Sequence, residues 1–187
     1  MLLLASASQR RQDLLKKIGV NFSVQPPVDD GEVVVGSPRD VVLGYARQKA
    51  FEVSQKQPNN WVLAADTLVF IKSTPLGKPR SKSELFDMLE RLQNSYEHSV
   101  WTGACMVNPF GEFFFDAEEA RVAFDKIPLA ELERYASTDE WTDKAAGYAI
   151  QGWAGRYAKI VQGNIGTVIG LSEGAVARLF RESGYTK

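Results

Sequence analysis

One carboxylate stands where it has to be answered. Asp66 lies within the eleven-residue run Trp61–Ile71, WVLAADTLVFI, whose apolar, β-branched and aromatic content reads as a central strand buried on both faces. An ionised carboxylate left unpaired in such surroundings is costly, so a metal ion, a lysine or an arginine is expected beside it. The plainer alternative is a structural Asp that satisfies a neighbouring loop or helix N-terminus. Cations are available. Arg10 and Arg11 follow the small hydroxyl residues Ser6-Ala7-Ser8, Lys49 lies in the run ARQKA, and Lys78 sits between Gly77 and Pro79. A strand that passes through small residues into a helix N-terminus presents free N–H groups and a positive dipole end to an anion. Arginines in that first turn are disfavoured unless an anion joins them; otherwise the segment is a solvated basic turn with Ser8 as its N-cap. Asp29, Asp30 and Glu32 surround Gly31, a pattern that suits a hard divalent cation, although acidic loops are commonly just solvated. The segment Asp143–Gly152, DKAAGYAIQG, is rich in small residues that let backbone approach a ligand, and Gln151 carries both a donor and an acceptor for the edge of a planar heterocycle.

These residues need elements to hold them. By alternation, Val62, Ala64, Asp66, Leu68 and Phe70 share one face of the central strand, and Trp61, Leu63, Ala65, Thr67, Val69 and Ile71 the other. A short strand at Leu2–Ala5 precedes a helix from Gln9 to Ile18, closed by Gly19. Val20–Gln25 reads as a strand that ends at Pro26-Pro27. From Pro38 a helix runs to about Gln55 with an apolar stripe of Val42, Tyr45, Ala46, Ala50 and Val53. Lys49 falls inside that stripe, either with its stem snorkelling outwards or with its charge aimed into a site. Ser81 and Glu84 look like a capping box for a helix over Lys82–Asn94. Residues 97–107 and 112–125 read as a hairpin about Asn108-Pro109-Phe110-Gly111, with His98 a hydrogen-bonded core histidine of no chemical role. A short helix at Leu129–Ser137 has Glu131 and Glu133 on its solvated side. Strands are expected at Arg156–Val161 and Thr167–Ile169, and a last helix at Glu173–Ser183.

The 187 residues suffice for one sizeable α/β core, with at most an added lobe, and no repeat or linker marks a boundary. A hydrophobic content of 44% and a formal net charge of -1 are those of a soluble globular protein, with no global attraction to nucleic acid or anionic membrane. The opening MLLLAS is too short for a signal peptide and no apolar run approaches a membrane span, so a cytoplasmic protein is expected. Cys105 is the only cysteine, which leaves no intrachain disulfide and no cysteine metal site. The apolar strand Phe113–Phe115 is a candidate surface for a homodimer.

Assembled, the motifs LASASQRR, ARQKA, AADT, GKP, KAAGYAIQG and GLSEG stand in the order and spacing of one family. The chain resembles, over almost its whole length, the Maf family of nucleoside triphosphate pyrophosphatases, relatives of inosine triphosphate pyrophosphatase. The resemblance implies a single α/β domain built on an elongated mixed sheet flanked by helices. It implies hydrolysis of a nucleoside triphosphate between its α and β phosphates with Mg²⁺ or Mn²⁺. Carried over by position, Asp66 is the catalytic acid, Ser6 and Arg11 contact phosphate, and Lys49 and Lys78 serve the triphosphate. Arg10, Thr67 and Gln151 match the branch that prefers dTTP and UTP; the sister branch, which prefers 7-methyl-GTP, has Trp, Gln and Glu there. Gly31 interrupts the usual acidic pair, so Glu32 is chosen as the loop's catalytic and metal-holding glutamate, with Asp30 as the alternative. Gln9 and Ser172 replace prolines. A competing role, nucleotide or nucleic-acid binding without catalysis in cell-division control, finds too few basic residues to support it.

Overall fold

The structure is a computed structural model and describes residues 1–28 and 31–186. The expectations for Asp29 and Asp30 lie outside the described residues. The described residues form seven strands: β1 (Leu2–Leu4), β2 (Ser23–Val24), β3 (Trp61–Ile71), β4 (Thr74–Leu76), β5 (Glu97–Val107), β6 (Phe113–Phe124) and β7 (Ala158–Gln162). Six helices accompany them: α1 (Gln9–Lys17), α2 (Pro38–Lys56), α3 (Lys82–Asn94), α4 (Leu129–Ala136), α5 (Ile165–Ile169) and α6 (Glu173–Ser183). Single 3₁₀ turns occur at Ala145–Gly147 and Trp153–Arg156. The strands form one mixed sheet in the order β2-β1-β3-β5-β6-β7, with β4 on β3. β1 pairs in parallel with both β2 and β3, whereas β3–β4 and β6–β7 are antiparallel. This is the expected α/β architecture. Among the described residues no helix is long and apolar enough to cross a membrane.

The chain divides into two compact units, and the division falls within β3 between Thr67 and Leu68. In the first unit (1–67, 102–118 and 170–187) the alternation of β3 decides what each face meets. Leu63 and Ala65 pack with Leu15 of α1 and with Val176 and Leu179 of α6. Val62 and Ala64 pack on the other side with Ala46, Ala50 and Val53 of α2. Each large aliphatic side chain so buried contributes about 1.5–3 kcal/mol. Next to the site, Gly103 of β5 is pressed against α2, where a Cβ would stand 2.6 Å from the Val42 carbonyl, so only glycine allows this approach.

In the second unit (68–101 and 119–169) Val69, Leu85, Leu89, Leu92, Val122, Leu132 and Tyr135 form the core. The Glu84 amide donates to Ser81 Oγ at 3.2 Å, as expected of the cap, but the Glu84 carboxylate accepts from the Arg80 amide at 2.7 Å rather than from Ser81. His98 is sealed in: its Nε2 shares a 2.6 Å hydrogen bond with Tyr148 Oη.

Four expectations change. The strand expected over Val20–Gln25 contracts to Ser23–Val24, because the Gly19 and Val20 amides close α1 on the carbonyls of Lys16 and Leu15. Thr167–Ile169 is helical, because the Asn164 side chain and carbonyl accept from the Gly166 and Thr167 amides and start α5 against the β-branched preference. Glu131 is half-buried and accepts a hydrogen bond from Tyr157 Oη at 2.7 Å. Most consequentially, β3 is not buried throughout: Asp66, Thr67 and Leu68 are only partly covered, with buried residues on either side of them.

Candidate active site

The break in the burial of β3 is where the polar groups of the first unit converge. Asp66 continues the Val62–Ala64 face and therefore meets α2, where Lys49 stands one residue before Ala50 and three after Ala46 on the packed stripe. Lys49 Nζ lies 2.5 Å from Asp66 Oδ1, and the two side chains are 13% and 14% exposed. The carboxylate is thus neither in the open nor sealed. Lys49 engages one oxygen, and the partial exposure leaves the pair reachable from solution. Of the three answers open to Asp66, the structure shows a lysine.

Thr67, on the opposite face, meets α1. Its hydroxyl accepts from Arg11 Nη2 at 3.2 Å and stands 2.9 Å from Thr102 Oγ1. Arg11 is held on two further sides, donating from Nε to the Gly170 carbonyl at 2.9 Å and from Nη1 to Ser6 Oγ at 2.9 Å. Three of the five guanidinium N–H groups are committed in this way, and the fork geometry fixes the plane of the group. Burial pushes the Arg11 pKa below its usual value, opposed by the charge of Asp66 and assisted by that of Arg10. Those couplings place Asp66 and Arg10 electrostatically close to Arg11. Ser8, at the N-cap position, makes no side-chain cap; its amide donates to Ser6 Oγ at 3.3 Å. The first loop is therefore organised by Ser6 and Arg11 rather than by Ser8.

Gly170 takes a left-handed φ of +124°, and a Cβ there would stand 3.3 Å from Thr67 Oγ1 and 3.5 Å from Arg11 Nε. Its lack of a side chain is what lets its carbonyl reach the arginine. Thr102 and Gly170 were not singled out from the sequence. Gly170 opens the GLSEG motif, and Thr102 lies on the inward side of β5, but neither signal names the partner, which is Arg11, 159 positions away, for Gly170 and Thr67, 35 positions away, for Thr102.

Glu32 is exposed, and its carbonyl accepts from Gln48 Nε2 at 3.1 Å. Gly31, beside it, has a φ of +80°, and a Cβ there would fall 2.1 Å from Gln48 Oε1. The glycine that interrupts the acidic loop is thus required by its conformation, and its lack of a side chain leaves room for the Gln48 amide.

Lys78 and Gln151 belong to the second unit, and both are exposed. The loop of Lys78 is fixed on both sides: the Ala146 amide donates to the Gly77 carbonyl at 2.8 Å, and Pro79 lies against Gly147, where a Cβ would be 3.0 Å from Pro79 Cγ. Ala146 accepts a left-handed φ of 53° to make this contact, the kind of local strain that persists where surroundings over-determine it. Gln151 sits in a turn closed by the Gly152 amide on the Ala149 carbonyl and by the Trp153 amide on the Glu140 carboxylate at 2.7 Å.

No three His, Cys, Asp or Glu side chains come together as a metal cage among the described residues. A cation that brings ligands of its own asks less of the protein. Mg²⁺ typically takes one or two carboxylates and completes its shell with water and phosphate oxygens. Asp66, partly exposed, and Glu32, on an exposed loop, are carboxylates of that kind.

Residues 1–183 match the family model described as Maf-like protein. A dTTP/UTP pyrophosphatase of Pyrococcus abyssi is 38% identical over 97% of this chain and 95% of that one. A dTTP/UTP pyrophosphatase of Myxococcus xanthus is 37% identical over 98% of this chain and 93% of that one. Among solved structures, the Staphylococcus aureus Ham1 protein aligns with a TM-score of 0.53 at 16% identity, covering 95% of this chain and 90% of that one. A nucleoside-triphosphatase / dITP/XTP pyrophosphatase from Mycobacterium abscessus aligns with a TM-score of 0.51 at 13% identity, covering 98% and 92%. At such identities the two structures speak for the fold alone.

Proposed function

The chain belongs to the Maf family and is a nucleotide pyrophosphatase, and from that premise we propose that it hydrolyses dTTP and UTP to the monophosphate and pyrophosphate. The observation that carries the reading is the partly open Lys49–Asp66 pair at 2.5 Å in the middle of β3, with Arg11 bracketed on the other face.

Phosphoryl chemistry asks a protein mainly for positioning and for charge opposite the oxygens that gain it. In the resting protein Lys49 neutralises Asp66. A triphosphate brings about four negative charges, which compete for Lys49 and release the carboxylate to accept a proton. Asp66 then takes the proton of the attacking water as its oxygen bonds to the α phosphorus. The bond from that phosphorus to the bridging oxygen breaks, and pyrophosphate leaves with the electron pair. Ser6, Arg11 and Lys78 hold the phosphates, and Arg10, Thr67 and Gln151 set the preference for a pyrimidine. A divalent cation held by Asp66 and Glu32 would supply further neutralisation of the leaving pyrophosphate. Thr67 reaches the nucleotide through Arg11 rather than directly, since its hydroxyl is committed within the protein.

We propose also that the protein pairs with a second copy through the aromatic row in which Phe113 stacks with both Phe51 and Phe115 beneath Arg47. Phe51 and Phe115 are exposed, and sedimentation measures the mass directly.

The purified protein with Mg²⁺, offered each common nucleoside triphosphate, is expected to release pyrophosphate from UTP and dTTP at least about tenfold faster than from the purine triphosphates. No turnover of UTP and dTTP, or no preference for them, would remove the substrate assignment.

A further inference from the structure

The segment that carries Glu32 does not wander over the surface. It is fastened along one ridge of α2 at four successive i, i+4 positions. The Val28 amide donates to Glu52 Oε1 at 2.9 Å. One turn back, Gln48 Nε2 donates to the Glu32 carbonyl at 3.1 Å, and Gln48 Oε1 occupies the place a Cβ on Gly31 would take. One turn further, Gly44 leaves room for Val34, whose Cγ1 would be 2.6 Å from a Cβ at position 44. At the helix start, the Gly36 α-carbon sits over Asp40, where a Cβ would be 3.1 Å from Asp40 Cβ. Residues 40, 44, 48 and 52 form a single row on a helix surface.

Lys49 is the neighbour of Gln48 in the chain, so the row that grips the segment and the side chain that grips Asp66 belong to the same helix. Alternate residues of the segment show which side chains do the gripping: Val33 and Val35 are 83% and 89% exposed, whereas Val34 between them is seated at Gly44.

We propose that this ridge of α2 sets the register of residues 31–37 against the Lys49–Asp66 pair, and that Gly44 and Gln48 are positioning residues for Glu32. The proposal rests on the pyrophosphatase reading above. Neither residue touches substrate: Gly44 acts by having no side chain and Gln48 by holding the Glu32 carbonyl.

The test exploits the unusual direction of one substitution. Gly44→Ala improves the helix by propensity, so the thermal midpoint does not fall, while the added Cβ lifts Val34 and the segment with it. A displacement of that size lowers kcat for UTP about 10- to 100-fold with KM changed less than about threefold. Adding Val34→Ala removes the obstructing methyls and restores kcat to within about threefold of wild type, a coupling that two independent losses do not show. Gln48→Ala lowers kcat similarly, and hydrogen exchange of amides 31–37 accelerates in it without acceleration in α2. Wild-type kcat in Gly44→Ala and Gln48→Ala overturns the proposal, as does a double variant no better than Gly44→Ala alone. Unchanged exchange at 31–37 in Gln48→Ala also overturns it, and that arm reads out whether or not the substrate assignment holds, so the two failures are told apart.

Discussion

Asp66 and His98 each interrupt an apolar strand, and they have opposite surroundings. Asp66 in β3 is partly exposed, paired with Lys49 and within the field of Arg11. His98 in β5 is 2% exposed, touches the Tyr148 hydroxyl, and among the described residues has no partner at Nδ1. Burial lowers its pKa to about 4, so it is neutral across the physiological range. The first arrangement keeps a charge alive by surrounding it with others and leaving it reachable; the second removes charge altogether. A charge that is paid for by neighbours and still open to solvent has the properties of a working group, whereas a neutral ring closed under Phe124 and Tyr148 has those of packing.

The comparison is broken most severely by taking away the cation that sustains Asp66. Lys49→Met is expected to lower kcat/KM for UTP by about 10²–10³-fold, as removal of a single charge-stabilising donor does, while Lys49→Arg recovers part of the loss. Steady-state pyrophosphate release measures both. A smaller effect is expected on the other face of β3. Thr67→Val leaves Arg11 Nη2 without its acceptor, which costs about 1–3 kcal/mol for a charged donor and appears as roughly a tenfold loss in kcat/KM, with Thr67→Ser close to wild type.

His98 gives the smallest effect on activity and a distinct one on stability. Its folded pKa of about 4 lies below the ordinary 6.5. Above pH 6.5 neither state binds the proton and nothing is lost. As pH falls from there to 4, the unfolded chain takes up a proton that the folded chain refuses, so stability declines by up to roughly 3 kcal/mol. Thermal melts across pH 4 to 7 should show this slope in the wild type and a flatter one in His98→Gln, with turnover of UTP at neutral pH within about twofold of wild type.

Much of this is legible in the sequence. β3 has the predicted bounds because nine apolar residues outweigh Asp66 and Thr67, and the 100° spacing of Lys49 from Ala46 and Ala50 puts it on the packed side of α2. What was not legible is mostly long-range or set by a cap. Arg11 and Gly170 lie at opposite ends of the chain, and no local pattern joins them. Thr167–Ile169 carries strand-forming residues, yet Asn164 starts a helix there by supplying acceptors to the next amides. The partial opening of β3 at Asp66–Leu68 also has no signature in composition, because it depends on what the rest of the fold leaves uncovered.

The central claim is that the carboxylate held by Lys49 performs the proton transfer. Single-turnover hydrolysis of UTP by Asp66→Asn, with nucleotide binding measured in parallel, tests it directly. The account predicts binding within about fivefold of wild type and a chemical step slowed at least about 10³-fold, the range of a lost general base. Hydrolysis near the wild-type rate in that variant would contradict it.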